Sequence, residues 1–249
     1  MTSIVLKAAS LEPEPCKICG APAHPFGAVD FNKSCDEPRA EKLPPLGIPV
    51  PFRRCTNCGF LFTECFDDWA DHDFKQFIYN DDYIKLDPDY VDRRPRLNAN
   101  MLCTQFQADR AVLRMLDYGS GNGLLSRCLR EAGFTTVESF DPFTPTFSHR
   151  PVGRFDVVTC FETMEHLTDP LAKIDDMVGL LSEIGVVIFS TLVQPADFES
   201  IGLSWWYVGP RNGHVSLFTR EALAIAWRRH GFTVVSFNEN THLAFRNSP

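Results

Sequence analysis

The fold is constrained most strongly by a glycine-rich loop that stands between a predicted strand and a predicted helix. Residues 112–117 (Val-Leu-Arg-Met-Leu-Asp) have the pattern of a short strand, and Tyr-Gly-Ser-Gly-Asn-Gly follows at 118–123. A helical stretch covers 124–132, and a β-rich segment at 135–140 runs into Asp141. This order of strand, glycine loop, helix, strand and acid is typical of a doubly wound α/β domain with a mostly parallel sheet.

The spacing of the glycines indicates which ligand such a loop would hold. Residues 119–123 follow GxGxG, whereas a dinucleotide-binding GxGxxG loop would need glycine at the position of Leu124. Asp117 lies two residues before the first glycine, where it would repel a phosphate and attract an ammonium group. The pattern therefore favours S-adenosylmethionine (SAM) over NAD, with Asp141 accepting the ribose hydroxyls. A dinucleotide loop or a purely structural loop is the alternative.

Three motifs extend this loop into a family resemblance. They are Leu-Asp-Tyr-Gly-Ser-Gly-Asn-Gly at 116–123, Ser-Phe-Asp-Pro at 139–142 and Arg-Phe-Asp-Val-Val-Thr-Cys-Phe-Glu-Thr-Met-Glu-His-Leu-Thr-Asp-Pro at 154–170. From about Asn98 onward the sequence resembles class I SAM-dependent methyltransferases, which implies a doubly wound, mostly parallel sheet of seven strands. The interval 141–155 is short for that family and leaves little room for a third strand and helix. The resemblance implies that SAM is surrounded by Asp117, Gly119, Gly121, Asp141, Cys160 and Phe161.

Two copies of a CxxCG pattern precede this domain. Cys16 and Cys19 form the first pair, and Cys55 and Cys58 form the second. Two intervening residues let both thiolates of a turn face one ion, and four thiolates give a closed tetrahedral zinc site that is structural rather than catalytic. Unrelated buried cysteines or a redox pair are the alternatives. Cys35 lies outside the pattern.

Composition and charge bound the organisation of the chain. Its 249 residues are 44% hydrophobic and 22% charged, which is ordinary for a globular protein. We predict a zinc-ribbon-like module at 1–66, a linker or helical cover at 67–110, and a SAM-binding domain at 111–249. The N-terminal residues 1–15 lack a signal-peptide pattern and no apolar run is long enough to span a membrane, so we expect a cytoplasmic protein with no membrane partner.

A cluster of acids and histidines is the candidate for chemistry. Glu162, Glu165 and His166 follow a buried-type strand, and on a helix they would share one face. With His214 they are candidate ligands of Mg²⁺, Mn²⁺ or Fe²⁺, and Glu165, His166 and His214 are the candidate catalytic residues. The segment 211–223 resembles RNA-end 2′-O-methyltransferases that use such a metal, and ubiquinone-pathway O-methyltransferases also carry ExxEH. A metal-free general base and a purely pocket-shaping role are the alternatives.

Three functions follow from these patterns. A zinc ribbon ahead of such a domain resembles sugar C-methyltransferases, so the leading hypothesis is methylation of a small-molecule or glycan substrate, at oxygen rather than carbon. The second is an RNA-end 2′-O-methyltransferase. The net charge of −8 disfavours nucleic acid as a partner. The third is a non-catalytic SAM-binding protein whose zinc ribbon mediates interactions.

Overall fold

The computed structural model describes residues 4–35 and 39–247, and its larger sheet carries the predicted glycine loop. Six strands lie in the order β10-β11-β8-β7-β5-β6. The strands β6, β5, β7 and β8 run parallel to one another, and β11 is antiparallel to both β8 and β10. The strands of this sheet are β5 (Arg114–Tyr118), β6 (Thr136–Phe140), β7 (Phe155–Cys160), β8 (Leu181–Ser190), β10 (Phe232–Ser236) and β11 (Thr241–Arg246).

A smaller, antiparallel sheet of five strands packs beside the first. Its order is β1-β2-β3-β4-β9. Four of its strands come from the first 62 residues of the chain, whereas the fifth comes from far along the chain. The strands are β1 (Glu14–Pro15), β2 (Pro22–Asp30), β3 (Pro49–Cys55), β4 (Leu61–Phe62) and β9 (Ser216–Leu217).

Of the helices in the described residues, three precede β5 and the others lie between the later strands. The α-helices are α1 (Asp71–Phe77), α2 (Tyr83–Leu86), α3 (Arg93–Gln105), α4 (Leu124–Glu131), α5 (Pro170–Leu180), α6 (Phe198–Ile201) and α7 (Arg220–Arg228). Single 3₁₀ turns occur at Pro145–Phe147, Met164–His166, Gly202–Ser204 and Pro210–Asn212. Among the described residues, no helix combines the length and the apolar character that crossing a membrane requires.

The predicted fold class is confirmed, with one difference in strand number. The large sheet of the described residues has six strands instead of seven. Between Asp141 and Phe155 the chain makes only the short turn Pro145–Phe147. A further parallel strand would need a crossover of about a dozen residues in addition to the strand itself, and this interval is too short for both.

The two sheets share one hydrophobic core. Ile18 and Phe60, next to the two cysteine pairs, belong to the same buried cluster as Trp227 of α7 and Phe218. The ring centroids of Phe60 and Phe218 lie 4.9 Å apart. The division of the chain at residues 66 and 110 stays a prediction, and the N-terminal segment is packed directly onto the α/β part.

Candidate active site

The glycine loop follows β5 and turns back over the end of β6. The backbone amides of Gly119 and Ser120 donate to the carbonyl of Phe140, at 2.8 and 3.1 Å. Gly119 has a φ of +77°, and a Cβ there would collide with the side chain of Thr163. Only glycine adopts this φ without strain and also leaves room for Thr163. The loop therefore packs directly against the segment after β7.

Asp117 is the penultimate residue of β5, just before this loop, and is 4% exposed. One carboxylate oxygen accepts a hydrogen bond from Thr159 Oγ1 at 3.2 Å. The other, Oδ2, has no hydrogen-bond partner within the described residues. Burial raises the pKa of Asp117 to about 7. A buried carboxylate oxygen with no partner is unfavourable unless a donor binds it, and the ammonium of an amino-acid moiety is such a donor.

Asp141 follows β6 and is held by the backbone. Its Oδ2 accepts from the amide of Gly121 at 2.9 Å, and its Oδ1 accepts from Phe143 and Thr144 at 2.8 and 3.1 Å. A carboxylate oxygen can accept two hydrogen bonds, so Oδ1 is fully used and Oδ2 keeps one free lone pair. These bonds fix the orientation of Asp141, and Oδ2 retains the capacity to accept a hydrogen bond from a hydroxyl.

The other two predicted cofactor residues differ in burial. Cys160 ends β7 and is 0% exposed, and burial raises the pKa of its thiol. Phe161 is half-buried and packs against a separate core cluster that includes Leu125 and Leu129 of α4. The structure thus brings Asp117, the loop and Asp141 to one edge of the sheet, with these two residues beside them.

A second group of side chains lies after β7, where Glu165, His166 and His214 converge. One potential ligand atom from each lies within 4.8 Å of the others. Glu165 is 0% exposed, and its carboxylate faces the hydroxyls of Tyr207 and Thr191 without a hydrogen bond of standard geometry in the described part of the chain. Burial, followed by repulsion from Glu162, raises its pKa to about 8. A buried carboxylate in this condition needs a proton or a cation.

The two histidines of this group are neutral. Burial lowers the pKa of His166 to about 4 and that of His214 well below its ordinary value. His214 Nδ1 lies 2.9 Å from the carbonyl oxygen of Tyr207. Because a carbonyl only accepts, Nδ1 carries the proton and Nε2 keeps a free lone pair. His166 Nδ1 lies 3.1 Å from the hydroxyl of Tyr79. Two neutral imidazoles and one carboxylate form a ligand set suited to a divalent transition-metal ion.

Glu162, the fourth predicted ligand, is held apart from the other three. Its Oε1 accepts from Ser190 Oγ at 2.6 Å and its Oε2 from Arg94 Nη1 at 3.1 Å. Its φ is +48°, the only positive value at a non-glycine position in the described residues. Because of this backbone conformation, Glu162, Glu165 and His166 do not share one face of a helix, and residues 164–166 form a 3₁₀ turn instead. Such strained positions concentrate at functional sites.

Beside this group lies a cavity of about 260 Å³ whose lining combines polar and apolar surface. Arg94, from the segment before β5, makes ion pairs with both Asp87 and Glu162. Trp206 is 40% exposed and lines the cavity, as do Asp87, Arg94, Glu162, Asn212, His214 and Cys35.

Sequence reasoning missed several of these residues. Asp87 and Arg94 belong to no motif, and Cys35 lies outside the cysteine pattern. The structure nevertheless places Cys35 Sγ 3.4 Å from His214 Nδ1. Tyr79 and Tyr207, which contact the two histidines, had no spacing signal either. Each reaches the site through a tertiary contact, so no local pattern could have identified it.

The four cysteines of the two CxxCG pairs form one cluster away from the cavity. The four sulfur atoms lie within 4.8 Å of one another. Cys16 Sγ is 3.7 Å from Cys58 Sγ, and Cys19 Sγ is 3.4 Å from Cys55 Sγ. The backbone amide of Ile18 faces the sulfur of Cys16 at 3.4 Å. The close Cys58 lowers the pKa of Cys16 to about 5. Four sulfurs at this spacing, with amides directed at them, suit a tetrahedral thiolate site for one metal ion.

Comparison with known proteins decides the family. Residues 90–237 match the methyltransferase domain family, and they include both the glycine loop and the Glu165–His166–His214 group. The chain belongs to this family. The prediction from the sequence motifs is thereby confirmed.

Individual relatives in this family match parts of the chain. The ubiquinone biosynthesis O-methyltransferase of Psychrobacter arcticus is 30% identical over 129 residues, which cover 39% of this chain and 50% of the relative. The protein of the same name from Xanthomonas oryzae is 29% identical over 150 residues, covering 49% and 63%. The chain spans about half the length of the first of these relatives.

Solved structures of methyltransferases are similar at low identity. Magnesium protoporphyrin IX methyltransferase from Synechocystis PCC 6803, with bound SAH, has a TM-score of 0.48 at 16% identity and covers 73% of this chain and 97% of that one. The plantazolicin methyltransferase with SAH has a TM-score of 0.49 at 12% identity, covering 68% and 91%.

Proposed function

We propose that this protein transfers the methyl group of SAM to a hydroxyl of a small-molecule or sugar-type substrate. The observation that carries the proposal is the buried, unpartnered Oδ2 of Asp117 beneath the glycine loop of a methyltransferase-family domain. In this assignment Asp117 binds the ammonium of SAM, the amides of the loop contact its methionine part, and Asp141 accepts the ribose hydroxyls. When bound, SAM supplies an electrophilic methyl group.

Calorimetric titration with SAM tests the cofactor part of the proposal. We expect binding to the wild type and at least about tenfold weaker binding to Asp117→Asn, because the neutral amide loses the charge-assisted contact. Asp109→Asn is the matched control, since Asp109 is exposed. Equal affinity of the two variants would contradict the role of Asp117.

The Glu165–His166–His214 group supports a role for a divalent cation in the acceptor half of the reaction. These three residues would hold the ion, which when bound would lower the pKa of a coordinated hydroxyl. We expect Glu165→Gln to reduce turnover strongly while SAM binding is retained, and we expect Mg²⁺, Mn²⁺ or Fe²⁺ to restore activity after chelation. Full turnover in excess EDTA would contradict the cation and leave His166 or His214 as a metal-free base.

The lining of the cavity supports a neutral, hydroxylated substrate. The one arginine that lines it is already paired with two carboxylates, so the cavity offers no excess positive charge for a phosphate. An exposed tryptophan and an asparagine side chain suit the apolar face and the hydroxyls of a sugar-like ring. A methyl-transfer screen with SAM tests this: preferential methylation of RNA ends over sugars and small hydroxylated compounds would contradict it.

A further inference from the structure

The strand β9 connects the four-cysteine cluster to the candidate acceptor site. The strand β4 begins two residues after the Cys58–Gly59 turn, and β9 pairs with it, with Leu61 opposite Leu217. The amide of Thr63 donates to the carbonyl of Val215 at 3.1 Å. The cysteine turn therefore leads directly into the strand on which β9 is laid.

Two side chains strengthen this connection. Gln194 Nε2 donates to the carbonyls of both Gly59 and Leu217, at 2.8 and 3.0 Å. Thr219 Oγ1 donates to the carbonyl of Cys58 at 2.6 Å. The bonds to Gly59 and Cys58 join the turn of the second cysteine pair to Gln194 and Thr219. The bond to Leu217 joins Gln194 to β9. A change in the cysteine turn would thus be transmitted to β9.

The other end of β9 determines where the acceptor group lies. His214 precedes the strand by two residues, and the amide of Val215 donates to the carbonyl of Glu165 at 2.9 Å. Ser216 Oγ donates to the carbonyl of Leu167 at 2.6 Å. The segment that carries Glu165 and His166 is therefore hydrogen-bonded to β9 and to the residue before it, and His214 is joined to the strand through the backbone.

The hydrogen bonds of the glycine loop run elsewhere. The loop is bonded to Phe140 and Asp141 at the end of β6, and β5 pairs with β6 and β7. The segment of Glu165 and His166 also follows β7 of the larger sheet, but it is tied by hydrogen bonds to the segment around β9, whereas the glycine loop has no hydrogen bond to β9 or to the cysteine turns among the described residues.

We propose that the metal of the four-cysteine cluster positions the Glu165–His166–His214 group through β4 and β9. Loss of that metal then disables the acceptor side while SAM binding persists. The inference rests on the proposed function, because it assigns these three residues to the acceptor half of methyl transfer. Gln194 is the positioning residue that links the cluster to the strand without touching the metal.

Hydrogen–deuterium exchange of the full-length chain tests this directly. Cys19→Ser removes a half-buried ligand, and Cys103→Ser is the control, since Cys103 is also half-buried but lies outside the cluster. We expect Cys19→Ser to lose bound zinc and to show faster exchange across residues 213–218. The exchange rate across residues 116–124 and the SAM affinity measured by calorimetry should both stay within about twofold of wild type. Unchanged exchange across 213–218 after zinc loss would overturn the proposal.

A second variant keeps the test decisive if Cys19→Ser unfolds. Gln194→Leu removes two hydrogen bonds and leaves all four cysteines in place, and the exposed Gln107→Leu is its control. We expect Gln194→Leu to retain zinc and SAM binding, to speed exchange across 213–218 and to lower kcat by about tenfold through displacement of the acceptor group. Wild-type exchange and kcat in Gln194→Leu would overturn the inference. Absence of SAM binding in the wild type would instead contradict the proposed function.

Discussion

At the scale of single residues, the most informative groups are two buried carboxylates with oxygens that make no hydrogen bond within the described residues. Asp117 and Glu165 are both nearly or fully inaccessible, and both have carboxylate oxygens without a hydrogen bond in the described residues. Burial raises the pKa of each, to about 7 and about 8. A protein does not gain stability from such groups, so their presence at the carboxyl edge of a parallel sheet is best explained by ligands that complete them.

In its proposed role, Asp117 would make SAM binding dependent on pH. Because the folded-state pKa is raised to about 7, the folded chain retains a proton that the unfolded chain loses near pH 3.8. The contribution of this carboxyl to stability therefore diminishes as pH rises from about 4 to 7. The proposed contact requires the ionised form, whose fraction is about 25-fold smaller at pH 5.5 than at pH 7.5, so SAM binding should be about 25-fold weaker at pH 5.5. Calorimetry at both values measures this.

The control for the pH effect is Asp117→Asn, which has no proton to lose at this position. Its affinity for SAM should be low and nearly independent of pH over the same range. An unchanged slope in the variant would show that another group causes the pH dependence.

At the scale of elements, the turn into α7 combines two tasks. Thr219 caps the helix by accepting from the amide of Ala222 at 2.9 Å, and its hydroxyl donates to the carbonyl of Cys58. A Cβ at Gly59, whose φ is +69°, would lie 2.9 Å from the Thr219 methyl group. The second cysteine turn is therefore fitted closely against the start of a helix from the other end of the chain.

Removing the hydroxyl of Thr219 should destabilise the protein measurably. Thr219→Val loses both the cap and the bond to Cys58, which together cost about 2 kcal/mol of the free energy of unfolding. Thr219→Ser keeps the hydroxyl and should remain within about 0.5 kcal/mol of wild type. Urea unfolding monitored by tryptophan fluorescence compares the two. Equal midpoints would show that neither hydrogen bond contributes to stability.

At the scale of the whole molecule, the shared core joins the four-cysteine cluster to the α/β part. Cys16, Cys55 and Cys58 lie in the same buried cluster as Phe189 of β8 and Trp227 of α7. Removal of a metal ion held by these cysteines would therefore affect the neighbouring core, although the strands next to the glycine loop are paired elsewhere.

Metal removal should therefore lower the thermal stability of the entire chain. We expect holo-protein to unfold in one transition, because the two sheets share a core, and we expect metal-depleted protein to unfold at a Tm lower by several degrees while still binding SAM at 20 °C. Differential scanning calorimetry with and without a chelator measures both. Two separate transitions in the holo-protein would show that the N-terminal segment is an independent unit.

The features that the sequence by itself determined are those with short-range signatures. The GxGxG loop with Asp117, the acid at Asp141 and the two CxxCG pairs each depend on spacing within a few residues, and local spacing specifies local geometry. The parallel pairing of the strands around the loop was predicted from the same unit of strand, glycine loop, helix and strand. The short interval between Asp141 and Phe155 was also visible in the sequence, but the predicted number of seven strands followed the family resemblance, and the described residues form six.

Only the tertiary structure decided how distant segments meet. The pairing of β9 with β4 joins residues more than 150 positions apart, and two-residue strands have no pattern of their own. The same holds for Arg94, which joins Asp87 to Glu162, and for Cys35 beside His214. Glu162 lies outside the Glu165–His166–His214 group, with a left-handed backbone and its own partners Ser190 and Arg94, and its role as a metal ligand stays a prediction. Contacts of this kind depend on packing and charge in three dimensions, which no local run of residues encodes.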